Sequence, residues 1–413
     1  MRLSQALRLV SVPLPTGSRT DRLLARCHTV EDVRALAKRR LPRPVFDYVD
    51  GGADEELALR GNTEAFRRYG YTPAVLRDVS APNLGTRILG RHAAAPLGFA
   101  PTGYTRMVGA GGEAAVARAA AGAGLPYVLS TMATTSLEDL AGEPGDGDLW
   151  FQLYVFKDRV RTMDLVQRAQ ASGYRVLEVA VDTAVPGFRV RDVRNGFTIP
   201  PRLTPGSLLD IGAKPAYWTR MLRGSALEFA NVSGGAGGCT IENVGSAFDA
   251  ALTWGDLARL RAAWAGKLVL KGPLGPADAL RARDLGLDGV HLSNHGGRQL
   301  DRSIAPVDLI APVRAAVGAD FGILVDSGVR HGADIATAVA LGADAAMVGR
   351  PYLWALAAAG QQGVDHLAAL LVGQFRRTMA LLGVASVAEL REHGPELVAD
   401  HGRAQAWPQL IER

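Results

Sequence analysis

The stretch DGVHLSNHGGRQLD, residues 288–301, begins as a short apolar run and ends as a line of reactive groups. Runs of this kind recur from Pro96 onward, each closing in a polar or glycine-rich turn. They are PLGFAPTG at 96–103, PYVLST at 126–131, LWFQLYV at 149–155 and RVLEVAVDT at 175–183, then KLVLKG at 267–272, DGVHLSN at 288–294, FGILVDS at 321–327 and AAMVGR at 345–350. Most are apolar throughout rather than alternating, as expected of parallel strands covered on both faces. Alanine-rich helical stretches stand between them: GEAAVARAAAGAG, RTMDLVQRAQASG, ADALRARDLG and GADIATAVALG. Several end in glycine, a common helix stop. Eight strand–helix units in roughly 260 residues predict an α/β fold of the TIM (β/α)8 barrel type. A doubly wound open sheet is the alternative, weakened because no G-x-G-x-x-G follows a first strand.

The chain has 413 residues, 48% apolar and 21% charged, which suffices for a large core. Its net charge of +5 reads as an arginine-rich surface or as attraction to anions. No zinc spacing, RNA-binding motif or basic tail points to nucleic acid. The two cysteines, Cys27 and Cys239, form neither a disulfide framework nor a C-x-x-C pair, so a reducing cytoplasm is expected. The N-terminal run LRLVSVPLP is too broken for a signal peptide. No apolar stretch reaches the ~18 residues of a membrane span. Residues 1–95 are expected to form a helical lead-in, with Thr29 and Asp32 starting one helix. Residues 96–382 make the barrel, interrupted by a long insertion at 195–253, and 383–413 form a C-terminal tail. An irregular connection as long as that insertion is usually functional or mobile.

Barrel enzymes carry their chemistry at the C-terminal ends of the strands. Those ends hold Pro101, Thr102 and Gly103; Ser130 and Thr131; Gln152 and Tyr154; and Asp182 and Thr183. After the insertion come Lys271; Ser293, Asn294 and His295; Asp326, Ser327 and Gly328; then Gly349 and Arg350. Any one of these reads as a turn residue or cap; as a ring they predict a polar ligand site. Arg330 and Arg350, beside glycines after strands seven and eight, suit a phosphate. Lys271 reads as a surface lysine, a Schiff-base nucleophile, or a fixed charge beside an electron-rich cofactor. His295 is the best candidate base, and Asp182 could orient its imidazole. Arg298, three residues on, suits a carboxylate clamp. Base and clamp together suggest proton abstraction next to a carboxylate.

APTG, FQLYV, VDT with a following Arg, LKG, SNHGGRQLD, DSGVR and GRP occur in this order. Together they resemble the FMN-dependent 2-hydroxy acid oxidases and dehydrogenases, over about Leu36 to Leu382. The resemblance implies an FMN-bearing barrel assembled as a homotetramer. It implies that Tyr48, Arg189 and Arg298 bind the substrate carboxylate, that His295 is the base with Asp182 its partner, and that Tyr154 faces the substrate hydroxyl. It places Lys271 beside flavin N1. Pro101, Thr102, Gly103, Ser130, Gln152 and Ser293 match contacts to the ring and ribityl chain. Asp326, Ser327, Gly328, Arg330, Gly349 and Arg350 match the ribityl and phosphate site. The glycines of SNHGGRQLD would let the backbone pass close to cofactor and substrate.

Two departures stand out: Ala180 where many members have Thr, and Met132 where glycolate oxidases have Trp. The motifs APTGY and DSGVR lean toward the mandelate and lactate dehydrogenase branch. The expected reaction oxidises an (S)-2-hydroxy acid to the 2-oxo acid, by hydride or carbanion transfer, with a quinone, O2 or a redox protein as electron acceptor. The alternatives are another flavin- or phosphate-binding barrel enzyme and an inactive flavin barrel. The stretch 203–230 mixes Leu208, Leu209, Ile211, Tyr217, Trp218, Met221, Leu222 and Leu227 with Lys214, Arg220 and Arg223. It reads as a surface loop, a subunit contact, or a peripheral membrane anchor on the inner face of the cell membrane.

Overall fold

The structure, a computed structural model, describes residues 17–143, 145–197, 212–222, 227–232 and 247–401. All eight expected strands are present: β1 (Leu97–Phe99), β2 (Tyr127–Ser130), β3 (Leu149–Tyr154), β4 (Val176–Ala180), β5 (Lys267–Gly272), β6 (Gly289–Leu292), β7 (Gly322–Val325) and β8 (Ala345–Val348). Each pairs in parallel with its sequence neighbours, and β8 closes on β1 through Ala346–Leu97 and Val348–Phe99. The result is a closed eight-stranded barrel.

The four alanine-rich stretches fold as helices Gly112–Gly122, Arg159–Ala171, Pro276–Asp284 and Gly332–Ala340. Just beyond them, Gly124, Gly173, Gly286 and Gly342 have φ between 65° and 108°. That left-handed conformation ends a helix at little cost only when Cβ is absent.

The lead-in begins as expected. Thr29 and Asp32 reciprocally cap helix Val30–Arg40, and helices Arg43–Asp50 and Leu57–Arg67 follow. It is not helical throughout, however. Strands Thr86–Ile88 and Arg91–Ala93 form an antiparallel hairpin whose turn residues, Leu89 and Gly90, both have positive φ. A two-residue hairpin turn with this backbone matches strand twist. Ile88 and Ala93 pack with Val128, Trp150, Val176, Val269, Leu324, Ala345 and Met347, so the hairpin plugs the N-terminal end of the barrel. The tail also folds back: Val398–Asp400 pairs antiparallel with Tyr69–Tyr71.

Part of the insertion lies outside the described residues, including Cys239 and the segments 198–211, 223–226 and 233–246. Within the described part, Pro215–Leu222 is helical. Tyr217 is buried and donates to the Met107 carbonyl at 2.8 Å. Trp218, Met221 and Leu227 pack against the core. This portion of the anchor stretch therefore spends its apolar groups inside the molecule. Among the described residues no helix is long and apolar enough to cross a membrane.

Candidate active site

The loop after β6 binds its surroundings through nearly every residue. The Ser293 hydroxyl accepts from Lys271 Nζ at 2.7 Å and from the His295 amide at 3.0 Å. Asn294 and Asn62 exchange amide hydrogen bonds in the buried interior. Gln299 donates to the carbonyls of Asp182 and Val185. Asp301 accepts from the amides of Glu55, Leu57 and Ala58, satisfying the start of helix Leu57–Arg67. His295, Gly296 and Gly297 all have positive φ, near 57°, 64° and 73°. A Cβ at Gly297 would lie 2.5 Å from the Leu59 nitrogen, and one at Gly296 would lie 2.3 Å from the Arg350 guanidinium. What the glycines admit among the described residues is thus helix Leu57–Arg67 and Arg350.

This loop aims His295 at a cavity on the C-terminal face of the barrel. His295 Nδ1 lies 2.9–3.0 Å from both carboxylate oxygens of Asp182, and Nε2 lies 3.0 Å from the Tyr154 hydroxyl. A carboxylate only accepts, so Nδ1 donates to Asp182, and Nε2 faces the Tyr154 hydroxyl at the cavity. Burial holds the Tyr154 phenol protonated far above its ordinary range. Tyr154 stacks on Phe248 with ring centroids 4.6 Å apart.

Arg189 and Arg298 flank Tyr48, their guanidinium carbons 5.6 and 5.0 Å from its ring centroid. Arg189 pairs with Asp192 at 2.7 Å. Among the described residues Arg298 donates to the Tyr48 and Gly51 carbonyls, at 2.6 and 3.1 Å. Burial, and then repulsion from Arg189, pull its pKa below the usual guanidinium value. Among the described residues Arg350 likewise donates to the Val49 and Gly51 carbonyls, and Arg330 to the carbonyl of its neighbour Val329. Burial lowers both, and Arg298 and Arg330 lower Arg350 further. Cations gathered around one cavity, with Arg298 and Arg350 held by backbone carbonyls, are stabilised by an anion between them.

The cavity is lined by Tyr48, Pro101, Thr102, Gly103, Ser130, Met132, Tyr154, Arg189, Lys271, His295, Arg298, Asp326, Ser327, Gly328, Arg330, Gly349 and Arg350, with others. Asp182, Gln152 and Ser293 stand behind that lining. They act on it through His295, through Ser130 (which donates to Gln152 at 3.0 Å) and through Lys271. Sequence reasoning missed two charged residues below the cavity. Glu178 on β4 and His291 on β6 are fully buried, with His291 Nδ1 2.8 Å from the Glu178 carboxylate. Their signal was visible: a Glu in VLEVA and a His in GVHL break runs that are otherwise apolar.

Comparison with known proteins settles the family. The sequence profile of the FMN-dependent dehydrogenases matches residues 37–396. The chain belongs to that family. It is 44% identical over 390 residues, 94% of each chain, to a Mycobacterium tuberculosis protein provisionally named L-lactate dehydrogenase. It is 39% identical to (S)-mandelate dehydrogenase of Pseudomonas putida, over 92% of this chain and 95% of that one. Among solved structures, the monotopic membrane protein (S)-mandelate dehydrogenase superposes with a TM-score of 0.87 at 39% identity, covering 91% of this chain and all of the other. The protein is thus an FMN-dependent oxidoreductase acting on 2-hydroxy acids.

The residues present fit FMN. Arg330 and Arg350 form a partly buried cationic corner after β7 and β8 that a phosphate would neutralise. The Gln152 side-chain nitrogen is buried behind the cavity wall without a hydrogen-bond partner among the described residues, a donor awaiting an acceptor.

Proposed function

We propose that the protein oxidises an (S)-2-hydroxy acid of the lactate or mandelate type to the 2-oxo acid, with His295 as base and Arg298, Arg189 and Tyr48 as the carboxylate clamp. One observation carries this reading: His295 and Tyr154, with Asp182 behind the His295 ring, line one cavity together with the Arg189–Tyr48–Arg298 group. FMN, when bound, supplies a two-electron acceptor. Arg330 and Arg350 would hold its phosphate. Pro101, Thr102, Gly103, Ser130, Gln152 and Ser293 would serve its ring and ribityl chain, with Asp326, Ser327, Gly328 and Gly349 beside it. Lys271 would put a positive charge against the ring.

The protein's part follows from its own groups. A substrate carboxylate relieves the burial and mutual repulsion of Arg298 and Arg189, so the clamp binds an anion in preference to a neutral acid. His295 Nε2 takes a proton from the bound hydroxy acid, and Asp182 stabilises the resulting imidazolium. Tyr154, kept protonated, hydrogen-bonds the substrate oxygen. Met132, Phe229 and Phe248 give the cavity an apolar side that suits a bulky substituent.

For the acceptor, we favour a quinone reached from the membrane surface. The support is the likeness to a mandelate dehydrogenase described as a monotopic membrane protein, together with the apolar and basic stretch 203–230. The test is anaerobic mixing of FMN-loaded protein with (S)- and (R)-mandelate and (S)- and (R)-lactate, followed by O2 or a soluble quinone. Bleaching of the yellow colour by (S)-acids alone, reversed faster by quinone than by O2, is expected. No bleaching by any of these acids would refute the substrate assignment, and faster recovery with O2 would refute the quinone.

A further inference from the structure

Four charged groups form a continuous chain through the barrel interior, and the steps above use only one end of it. Lys271 Nζ lies 2.6 Å from Asp326 Oδ2, and that same oxygen lies 3.2 Å from His291 Nε2. The other nitrogen of His291 lies 2.8 Å from Glu178 Oε2. Lys271 and Asp326 line the cavity, whereas Glu178 and His291 do not touch it and have no solvent exposure. Among the described residues the remaining Glu178 oxygen and His291 Nε2 have no hydrogen-bond partner. A buried ion pair with unmet hydrogen bonds is poor value as a stabiliser compared with two well-packed aliphatic residues. β4 and β6 supply valine and leucine around these positions, so an apolar pair would fit the pattern.

The pair does have an electrostatic consequence. An aspartate alone beside Lys271 would cancel most of the charge that the lysine presents to the cavity. His291 competes for that aspartate from the opposite side. Glu178 accepts from Nδ1, which fixes the ring and leaves Nε2 3.2 Å from Asp326 Oδ2, near enough for electrostatic attraction but not aligned for a hydrogen bond. Burial opposes the charge on His291, and so does Lys271, but Glu178 and Asp326 outweigh them and raise its pKa.

We propose that Glu178 and His291 are positioning residues: they share the Asp326 charge with Lys271 and so set how much positive charge the cofactor experiences. This deepens the reading above, because it rests on Lys271 facing the FMN ring.

The experiment uses full-length, FMN-loaded protein and sulfite, whose adduct with the flavin places negative charge on the ring. Lys271→Met tests the underlying placement and is expected to weaken sulfite binding. The double variant Glu178→Val/His291→Val removes one charge of each sign and leaves aliphatic packing. It is expected to raise the sulfite Kd about fivefold or more and to lower the flavin midpoint potential, with the hydroxy-acid KM within about twofold of the parent. If Lys271→Met weakens sulfite binding and the double variant leaves Kd and potential unchanged, the inference fails and the placement of Lys271 stands. If Lys271→Met itself changes nothing, both fail. Should the double variant not retain FMN, Glu178→Gln decides. It keeps an acceptor for Nδ1 but leaves His291 facing only Asp326 and Lys271, while Lys271 still faces Asp326 and Asp182. Its sulfite Kd should then rise with pH across the imidazole range relative to the parent. Parallel profiles would overturn the inference.

Discussion

Arg298 and Arg330 are both partly buried arginines at one cavity, yet they suit different anions. Arg298 stands against Tyr48 and beside Arg189, within the cavity that His295 enters. Arg298→Lys removes the planar fork that suits a carboxylate and leaves a point charge. KM for the hydroxy acid should rise about tenfold or more and kcat should fall, while FMN content stays at the parent level. Steady-state kinetics with a flavin assay checks this; unchanged KM would remove Arg298 from the clamp. At this scale the ring of polar strand ends was legible in the sequence because eight of them recur together, and most of those residues line one cavity. Glu178 and His291 were not legible, because a single charged residue inside an apolar run does not say which face it occupies. Barrel closure decides that by turning both side chains inward.

At the scale of elements, the SNHGGRQLD loop ties β6 to helix Leu57–Arg67, more than two hundred residues earlier in the chain. Asp301 caps that helix through three amides, at 2.7, 3.1 and 3.3 Å. Asp301→Ala should destabilise the protein by about 1 kcal/mol, readable as a lower denaturant midpoint with an unchanged slope. Burial works against the Asp301 charge, but the amides outweigh it and hold its pKa below the ordinary carboxylate value. A depressed folded pKa gives stability that is present above the unfolded value and is lost as pH falls through the folded one. The difference between parent and Asp301→Ala should therefore be full at neutral pH and shrink below about pH 4. A difference independent of pH would show that the carboxylate is not the capping group. The loop's tie to this helix could not be read from spacing, since Asn62 and Leu59 announce nothing alone. The same holds for the hairpin at Thr86–Ala93, whose three-residue strands are too short to show alternation.

For the whole molecule, the eightfold rhythm of apolar runs placed the barrel correctly, while the elements added around it came from long-range pairing that no local pattern records. The hairpin that plugs the barrel floor and the Tyr69–Tyr71 pairing with Val398–Asp400 are of this kind. The membrane proposal also divides at this scale. Tyr217 is held to Met107, so Tyr217→Ala should disturb the active-site wall rather than membrane binding. Replacing Leu208, Leu209 and Ile211 by Ser should reduce co-sedimentation with anionic vesicles at low salt and slow quinone turnover, yet leave bleaching by the hydroxy acid intact. Vesicle binding equal to the parent would remove those residues from any anchor. The central claim is that His295, aimed by Asp182, takes the proton that the oxidation releases. Its most direct test is the rate of anaerobic bleaching by an (S)-2-hydroxy acid in the parent and in His295→Asn, both loaded with FMN. The account predicts that the variant binds FMN and bleaches about 10²–10⁴-fold more slowly; bleaching at the parent rate in a fully loaded variant would contradict it.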